Sequence, residues 1–202
     1  MTPTTASAPP RGDTRSEVLA AAVRVVLAEG VARMTLEQVA REAGVSKGGL
    51  LYHFRSKEEL IGGMVRHYVE RFDAAVAALA AADPQPRGRW TRAYVRASRA
   101  ELSEVGRTNA AIHAALANFP DLLEPVREQG EHHRRRMEED GLPPLDALTI
   151  RLAIDGLWLG ENFDLLRLDP ERKDALCDRL EAWTLQHAGA AQRDPLGRPQ
   201  GG

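Results

Sequence analysis

The sequence predicts an all-α protein, on three observations. Apolar residues recur every three or four positions through most of the chain, and no useful length alternates with period two. Ser or Thr followed three residues later by Glu or Gln, the signature of a helix start, occurs repeatedly between Gly and Pro breaks. The 202 residues are 43% hydrophobic but only 5% aromatic, with abundant Ala and Leu. That composition favours helix and reads as soluble and globular.

Each element follows from its punctuation. Thr14 with Glu17 fits a capping box, and Val18, Leu19, Ala22, Val23 and Val26 line one side of a helix that Gly30 ends. Thr35 with Gln38 opens a second helix, 35–43, with Met34 and Val39 at the staple positions. Ser46 caps a third, 46–53, with Val45 and Leu50 as its staple pair. Ser56 with Glu59 opens a long fourth helix to about Ala81, with Leu60, Met64, Val65, Tyr68, Phe72 and Val76 apolar. After the break "DPQPRG" (83–88), helical patterns cover 89–104, 107–117, 120–139, 144–168 and 170–187, about nine helices in all. Pro120, Pro143, Pro144 and Pro170 mark starts, where a missing N–H does no harm. Residues 1–13 and 188–202 read as a disordered arm and tail.

Composition excludes several classes. Net charge is −2, so a globally basic nucleic-acid binder is not indicated. Between Arg41 and Lys57, however, stand Arg41, Lys47, Arg55 and Lys57 against one acid, Glu42. No membrane span and no signal peptide is present, and one cysteine, Cys177, forms no internal disulfide, so the protein reads as cytoplasmic. No nucleophile–base pair, paired-carboxylate motif or phosphate loop stands out. Neither catalytic residues nor a cofactor is expected. His132 and His133 are adjacent and point about 100° apart on a helix, so no metal site is expected. The run "GEHHRRRMEED" (130–140) reads as a solvated, charged face.

The two short helices joined by "AGVS" carry helix-turn-helix punctuation, and the second begins Lys47-Gly48-Gly49. Paired glycines cost a short helix roughly 0.5–1 kcal/mol each relative to alanine. One reading is a loose turn with "LLYHF" as core. The other is a recognition helix whose bare first turn lets backbone approach DNA and leaves Lys47 near base edges. On that reading Tyr52 and His53 reach phosphates, and Lys57 holds one at the start of the next helix.

Residues 14–74 resemble the DNA-binding domain of the TetR family of bacterial transcription regulators. The match is carried by "TLEQVAREAGVSKGGLLYHFRSKEEL", Thr35 to Leu60. It has a Thr-led helix, an Ala-Gly-Val-Ser turn, Lys-Gly at the recognition helix, an aromatic end and Ser-Lys-Glu-x-Leu opening the fourth helix. Leu51 departs from the pattern, standing where the first of two tyrosines is usual, and packs instead. The resemblance implies DNA contacts from Thr35, Ser46, Lys47, Gly48, Gly49, Tyr52, His53 and Lys57. It implies a helical ligand-binding and dimerisation domain at 75–187. The partners implied are a two-fold-symmetric double-stranded DNA operator, a second copy of the chain and an unidentified small-molecule effector, with no membrane. Repression is the usual outcome. An activator or effector-independent regulator of the same fold stays open, as does a helical small-molecule-binding protein without DNA binding.

For the effector pocket, Trp90, Tyr94, His113, Phe119, Trp158 and Phe163 are the candidates, being apolar walls with a few polar handles. For the dimer, helix 144–168 has two apolar arcs. One is Leu148, Leu152, Leu159, Phe163 and Leu166; the other is Ile150, Ile154, Leu157, Trp158 and Leu165. A helix with two apolar faces needs two partners. The expected interface pairs 144–168 with 170–187 across subunits. It uses the small strip Ala153, Gly156 and Gly160 with Leu157, Leu176, Leu180 and Trp183.

Overall fold

A computed structural model describes residues 14–104, 111–112, 115–116 and 118–186. Its elements are α1 (Thr14–Glu29), α2 (Leu36–Glu42), α3 (Lys47–His53), α4 (Lys57–Ala82), α5 (Arg89–Glu104), a 3-10 turn (Pro120–Leu122), α6 (Leu123–Glu138), α7 (Pro144–Asn162) and α8 (Pro170–Gln186). Residues 111, 112, 115, 116 and 118 are also helical. The described chain is all-α, as expected. The rest of the expected helix 107–117 and the expected disordered arm and tail lie outside the described residues.

The local signals act as their chemistry requires. Gly30 has φ 82° where α1 stops, and Gly44 has φ 66° in the turn before α3; both lie in the left-handed region where a Cβ is costly. Thr35 closes a full capping box. Its hydroxyl accepts the Gln38 N–H at 3.2 Å, and the Gln38 side chain accepts the Thr35 N–H at 2.8 Å. Ser46 accepts the Gly49 N–H at 3.0 Å, and Ser56 the Glu59 N–H at 3.0 Å. The Ser56 box is modified. Glu59 reaches back one residue further than expected and accepts the Arg55 N–H at 2.8 Å.

Two cores lie along α4. In the first, Val18, Leu19, Met34, Val39, Leu50, Phe54, Leu60, Ile61 and Val65 pack α1 to α4 together with Ala111, Ile112 and Ala115. In the second, Phe72, Val76, Trp90, Tyr94, Ile150, Ile154, Cys177 and Leu180 join α4, α5, α7 and α8. One unbroken 26-residue helix thus contributes to both. Gly63 makes the first core possible. A Cβ there would stand 2.6 Å from the Phe54 ring and 3.2 Å from Leu19 Cδ2.

Charge is buried in the second core, where it folds the loop 83–88. Arg92 and Asp83 are 1% and 2% exposed and joined at 2.8 Å. Arg92 also donates to the carbonyls of Gln85 and Arg87 and to Thr184 Oγ1 on α8. The guanidinium holds the Asp83 carboxyl below its usual range. Asp140 caps α5 from outside, accepting the Trp90 and Thr91 N–H groups at 3.1 and 2.8 Å. Burial pushes its carboxyl pKa upward, against those bonds.

Helix α7 is shorter than the 144–168 expected. It ends at Asn162, Asp164 turns with φ 57°, and the N–H groups of Leu165 and Leu166 both bond the Gly160 carbonyl, at 2.8 and 3.1 Å. Leu166 then folds over Gly160, where a Cβ would meet Leu166 Cβ at 2.7 Å. Gly160 therefore makes room for its own chain. Its expected role, admitting a second subunit, is corrected.

Candidate DNA-binding face and effector cavity

Helix α3 buries Leu50 and Phe54 and turns its first residues outward. Lys47 and Gly48 are exposed, and Tyr52 is 85% exposed with its ring edge-on to His53 at 5.2 Å. A large aromatic in that position has no role in the fold. The two glycines differ. A Cβ on Gly48 would have only Ser46 Oγ near it, at 4.0 Å, so nothing inside the chain requires its absence. A Cβ on Gly49 would stand 3.3 Å from Ser46 Oγ, so Gly49 also keeps the cap clear. Leu51 is half-buried beside them.

The cations on this face have partners within the chain. Lys47 Nζ lies 2.6 Å from Glu37 Oε1, an exposed pair that holds the Glu37 carboxyl below its ordinary range. Exposed pairs of this kind contribute only ~0–1 kcal/mol and exchange readily for another anion. Lys57 Nζ donates to the Ala32 carbonyl at 2.9 Å, tying the start of α4 to the turn after α1 and leaving two of its three N–H donors. Thr35 and Ser46 are committed to their caps.

Next to the first core, an open cavity of about 270 Å³ lies among α4 to α7 and the helical residues Ile112 and Leu116. Its aromatic walls are Tyr68 and Phe72 from α4, Tyr94 from α5 and Trp158 from α7. They meet edge to face, with Tyr68–Trp158 at 6.2 Å, Phe72–Tyr94 at 5.6 Å and Phe72–Trp158 at 6.3 Å. Polar groups converge at one end. The Tyr94 hydroxyl donates to Asp155 Oδ1 at 2.6 Å, Arg151 Nε to Asp155 Oδ2 at 3.2 Å, and Arg151 also to the Gly130 carbonyl at 2.6 Å. Burial and the Asp155 charge hold the Tyr94 proton on by raising its pKa. Gln129 donates to the Val69 carbonyl and to Asp73.

His133 completes the wall and corrects the sequence reading of its segment. It is 2% exposed, ringed by Phe72, Trp90 and Tyr94. Nε2 approaches Asp73 Oδ1 at 2.8 Å, and Nδ1 has no hydrogen-bond partner among the described residues. Burial lowers its pKa and outweighs the opposing pull of Asp73. The flanking arginines do form the expected charged face. Arg134 and Arg135 pair with Glu131, whose carboxyl falls to about 2 through those bonds.

Of the six residues expected to line the pocket, Tyr94 and Trp158 do so. Trp90 sits one turn away, buried, with the Arg136 guanidinium 4.4 Å above its ring. Phe119 packs on the first core, and Phe163 is 56% exposed at the end of α7. His113 lies outside the described residues. Tyr68 and Phe72 were assigned by sequence to the DNA-binding segment, which concealed their place in the cavity. His133 had a signal, for Val126, Gln129, Gly130, His133 and Met137 recur at helical spacing.

Two further expected dimer residues need similar correction: Leu157 and Leu180 are 2% and 4% exposed and belong to the subunit core, while Ala153, Leu176 and Trp183 pack on that core but stay partly exposed. Helices α7 and α8 each pack on α5. The outward arc of α7 is instead Leu145, Leu148, Leu152, Leu159 and Phe163, each 44% exposed or more. Gly156 lies exposed among them, with no atom within 4 Å of a Cβ placed on it. Among the described residues no group of three His, Cys, Asp or Glu could hold a metal, and no helix is long and apolar enough to cross a membrane.

Comparison with known proteins accounts for both halves. Residues 18–64 match "Bacterial regulatory proteins, tetR family" and residues 88–185 match "Tetracyclin repressor-like, C-terminal domain". The HTH-type transcriptional regulator BetI of Rhizobium meliloti is 30% identical over 177 residues, 81% of this chain and 85% of BetI. The HTH-type transcriptional regulator SrpR of Pseudomonas putida is 43% identical over 49 residues, 24% of this chain and 23% of SrpR. The chain spans 23% to 37% of the length of SrpR and of TtgW, a second Pseudomonas putida regulator. Among solved structures, the multidrug binding protein EbrR complexed with ethidium is 25% identical with a TM-score of 0.58, over 83% of this chain and 98% of that one. The chain belongs to the TetR family of bacterial transcription regulators, which are not enzymes.

Proposed function

We propose that the protein is a ligand-responsive repressor that binds a two-fold-symmetric operator as a homodimer. The observation that carries the DNA-binding part is the outer face of α3. Gly48 is bare for no reason internal to the fold, between an exchangeable Lys47 and a fully presented Tyr52. Placed in a major groove, that face brings backbone to the base edges, with Lys47 beside them. Tyr52, His53 and the two free donors of Lys57 then reach phosphates.

The second copy is argued from α7. Leu145, Leu148, Leu152, Leu159 and Phe163 repeat at spacings of three, four and seven, making one stripe open to water. Gly156 in its middle lets a crossing helix approach. A second copy of the same stripe is the simplest self-complementary cover.

An effector in the aromatic cavity is supported by the convergence of Tyr94, Arg151, Asp155 and His133 on apolar walls, and small-molecule binding by the likeness to EbrR, which was solved complexed with ethidium. Tyr68 and Phe72 stand on α4, whose other end packs against α1 and, at Gly63, against Phe54, the residue that ends α3. A ligand that binds better to one setting of α4 shifts the spacing of the two recognition helices. The test is a gel shift with DNA from upstream of the protein's own gene. The native protein is expected to shift it, and Gly48→Leu to lose the shift with its melting temperature intact. Unaltered binding by Gly48→Leu contradicts the groove assignment.

A further inference from the structure

A second cavity, of about 280 Å³, opens between α1 and α4 on the DNA-binding side of the molecule. Its floor is apolar, made by Leu19, Val23, Leu27, Met64 and Ile112. Its basic lining residues are Arg24, His67 and Arg71, Tyr68 adds a phenol, and among the described residues no carboxylate lines it. Each arginine has an ion pair with an acid that is not among the lining residues. Arg24 Nε lies 2.6 Å from Glu42, and one Arg71 terminal nitrogen lies 3.4 Å from Glu101. Both arginine side chains are more than half exposed, at 54% and 53%, so water screens these pairs and each guanidinium keeps further N–H donors.

An apolar floor beside basic side chains, with no acid among the described lining residues, selects one kind of molecule. The apolar part displaces water from Leu19, Val23 and Met64, and a carboxylate accepts hydrogen bonds from the guanidinium groups. A neutral amphiphile gains only the first contribution, and a cationic one is repelled. The volume is just below the ~300–1,000 Å³ usual for small-molecule sites, which favours a chain of medium length. We propose that this cleft binds an amphipathic monoanion, a carboxylic acid with an apolar tail. Tyr68 and Ile112 wall both this cleft and the aromatic cavity, so the two sites are neighbours with a shared partition. The acid would bridge α1 to the stretch of α4 that leaves the first core. The proposal stands apart from the effector reading of the other cavity.

Titration calorimetry on the purified protein with decanoate, decanol and decyltrimethylammonium, below their aggregation concentrations, tests it. Decanoate is expected to bind at least tenfold more tightly than either of the others. Arg24→Gln with Arg71→Gln is expected to weaken decanoate at least tenfold and erase the preference. Ala20→Phe, at an exposed position lining the cleft, is expected to abolish binding, and Trp158→Ala in the other cavity to leave it unchanged. Equal binding of decanoate and decanol, normal binding by the double arginine variant, or loss in Trp158→Ala alone overturns the proposal. If Ala20→Phe fails to fold, the arginine pair decides.

Discussion

The first core and the second differ in what they bury. Around α1 to α3 the buried interior is apolar, down to a glycine that leaves space for one phenyl ring, and its cleft against α4 has an apolar floor. Polar and charged side chains of that region, Lys47, Tyr52 and Lys57 among them, lie outside the core. In the second region Arg92, Asp83 and His133 are inside, and His133 walls a cavity with aromatic sides. The difference suits the two proposed tasks. Reading a rigid duplex calls for a fixed block presenting an outer face, while sensing a small molecule calls for interior space with polar groups in it.

The largest expected effect tests the charged half. Arg92→Ala removes the buried partner of Asp83 and is expected to cost roughly 3–5 kcal/mol in urea unfolding. Hydrogen exchange should show α5 and α8 losing protection while α2 and α3 keep theirs. Equal loss in both regions would break the distinction. Next comes the apolar half. Gly63→Ala puts a methyl group against Phe54 and should cost about 1–3 kcal/mol and weaken operator binding. Gly156→Ala, also within a helix but with open space around it, should gain about 0.5–1 kcal/mol from helix propensity, read in melting curves of the isolated subunit.

The smallest effect is a matter of pH. The unfolded imidazole of His133 takes a proton near pH 6.5. The folded one resists to lower pH because it is buried. Between those two points the unfolded state binds more protons, so stability falls as pH drops below about 6.5 and is complete above it. His133→Phe should flatten that fall and leave the stability profile above pH 7 unchanged, measured by denaturant titration across pH 5–8.

The same contrast decided what was legible in the sequence. Caps, staples and left-handed glycines act within three or four residues, so α1 to α4 could be read from Thr35, Ser46, Ser56, Gly30 and Gly44 alone. The second region depends on contacts distant in sequence. Helix α7 stops at Asn162 because Leu166 returns over Gly160, and nothing in the local pattern announces that return. Two apolar arcs on α7 are visible in the sequence, but which one faces inward is set by packing on α5, and Leu157, expected at the interface, is buried in the subunit. His133 was hidden because a charged run was read as one solvated face, although one position in it points inward.

The central claim is that the outer face of α3, presented twice by a dimer, reads DNA. A footprint of the purified protein across its own upstream region tests this most directly, with the mass of the protein–DNA complex measured by sedimentation. The account predicts a protected site with two-fold symmetry, half-sites about 34–36 Å apart along the helix axis, occupied by an even number of chains. Protection without symmetry, a single chain per site, or no site distinguishable from non-specific coating would contradict it.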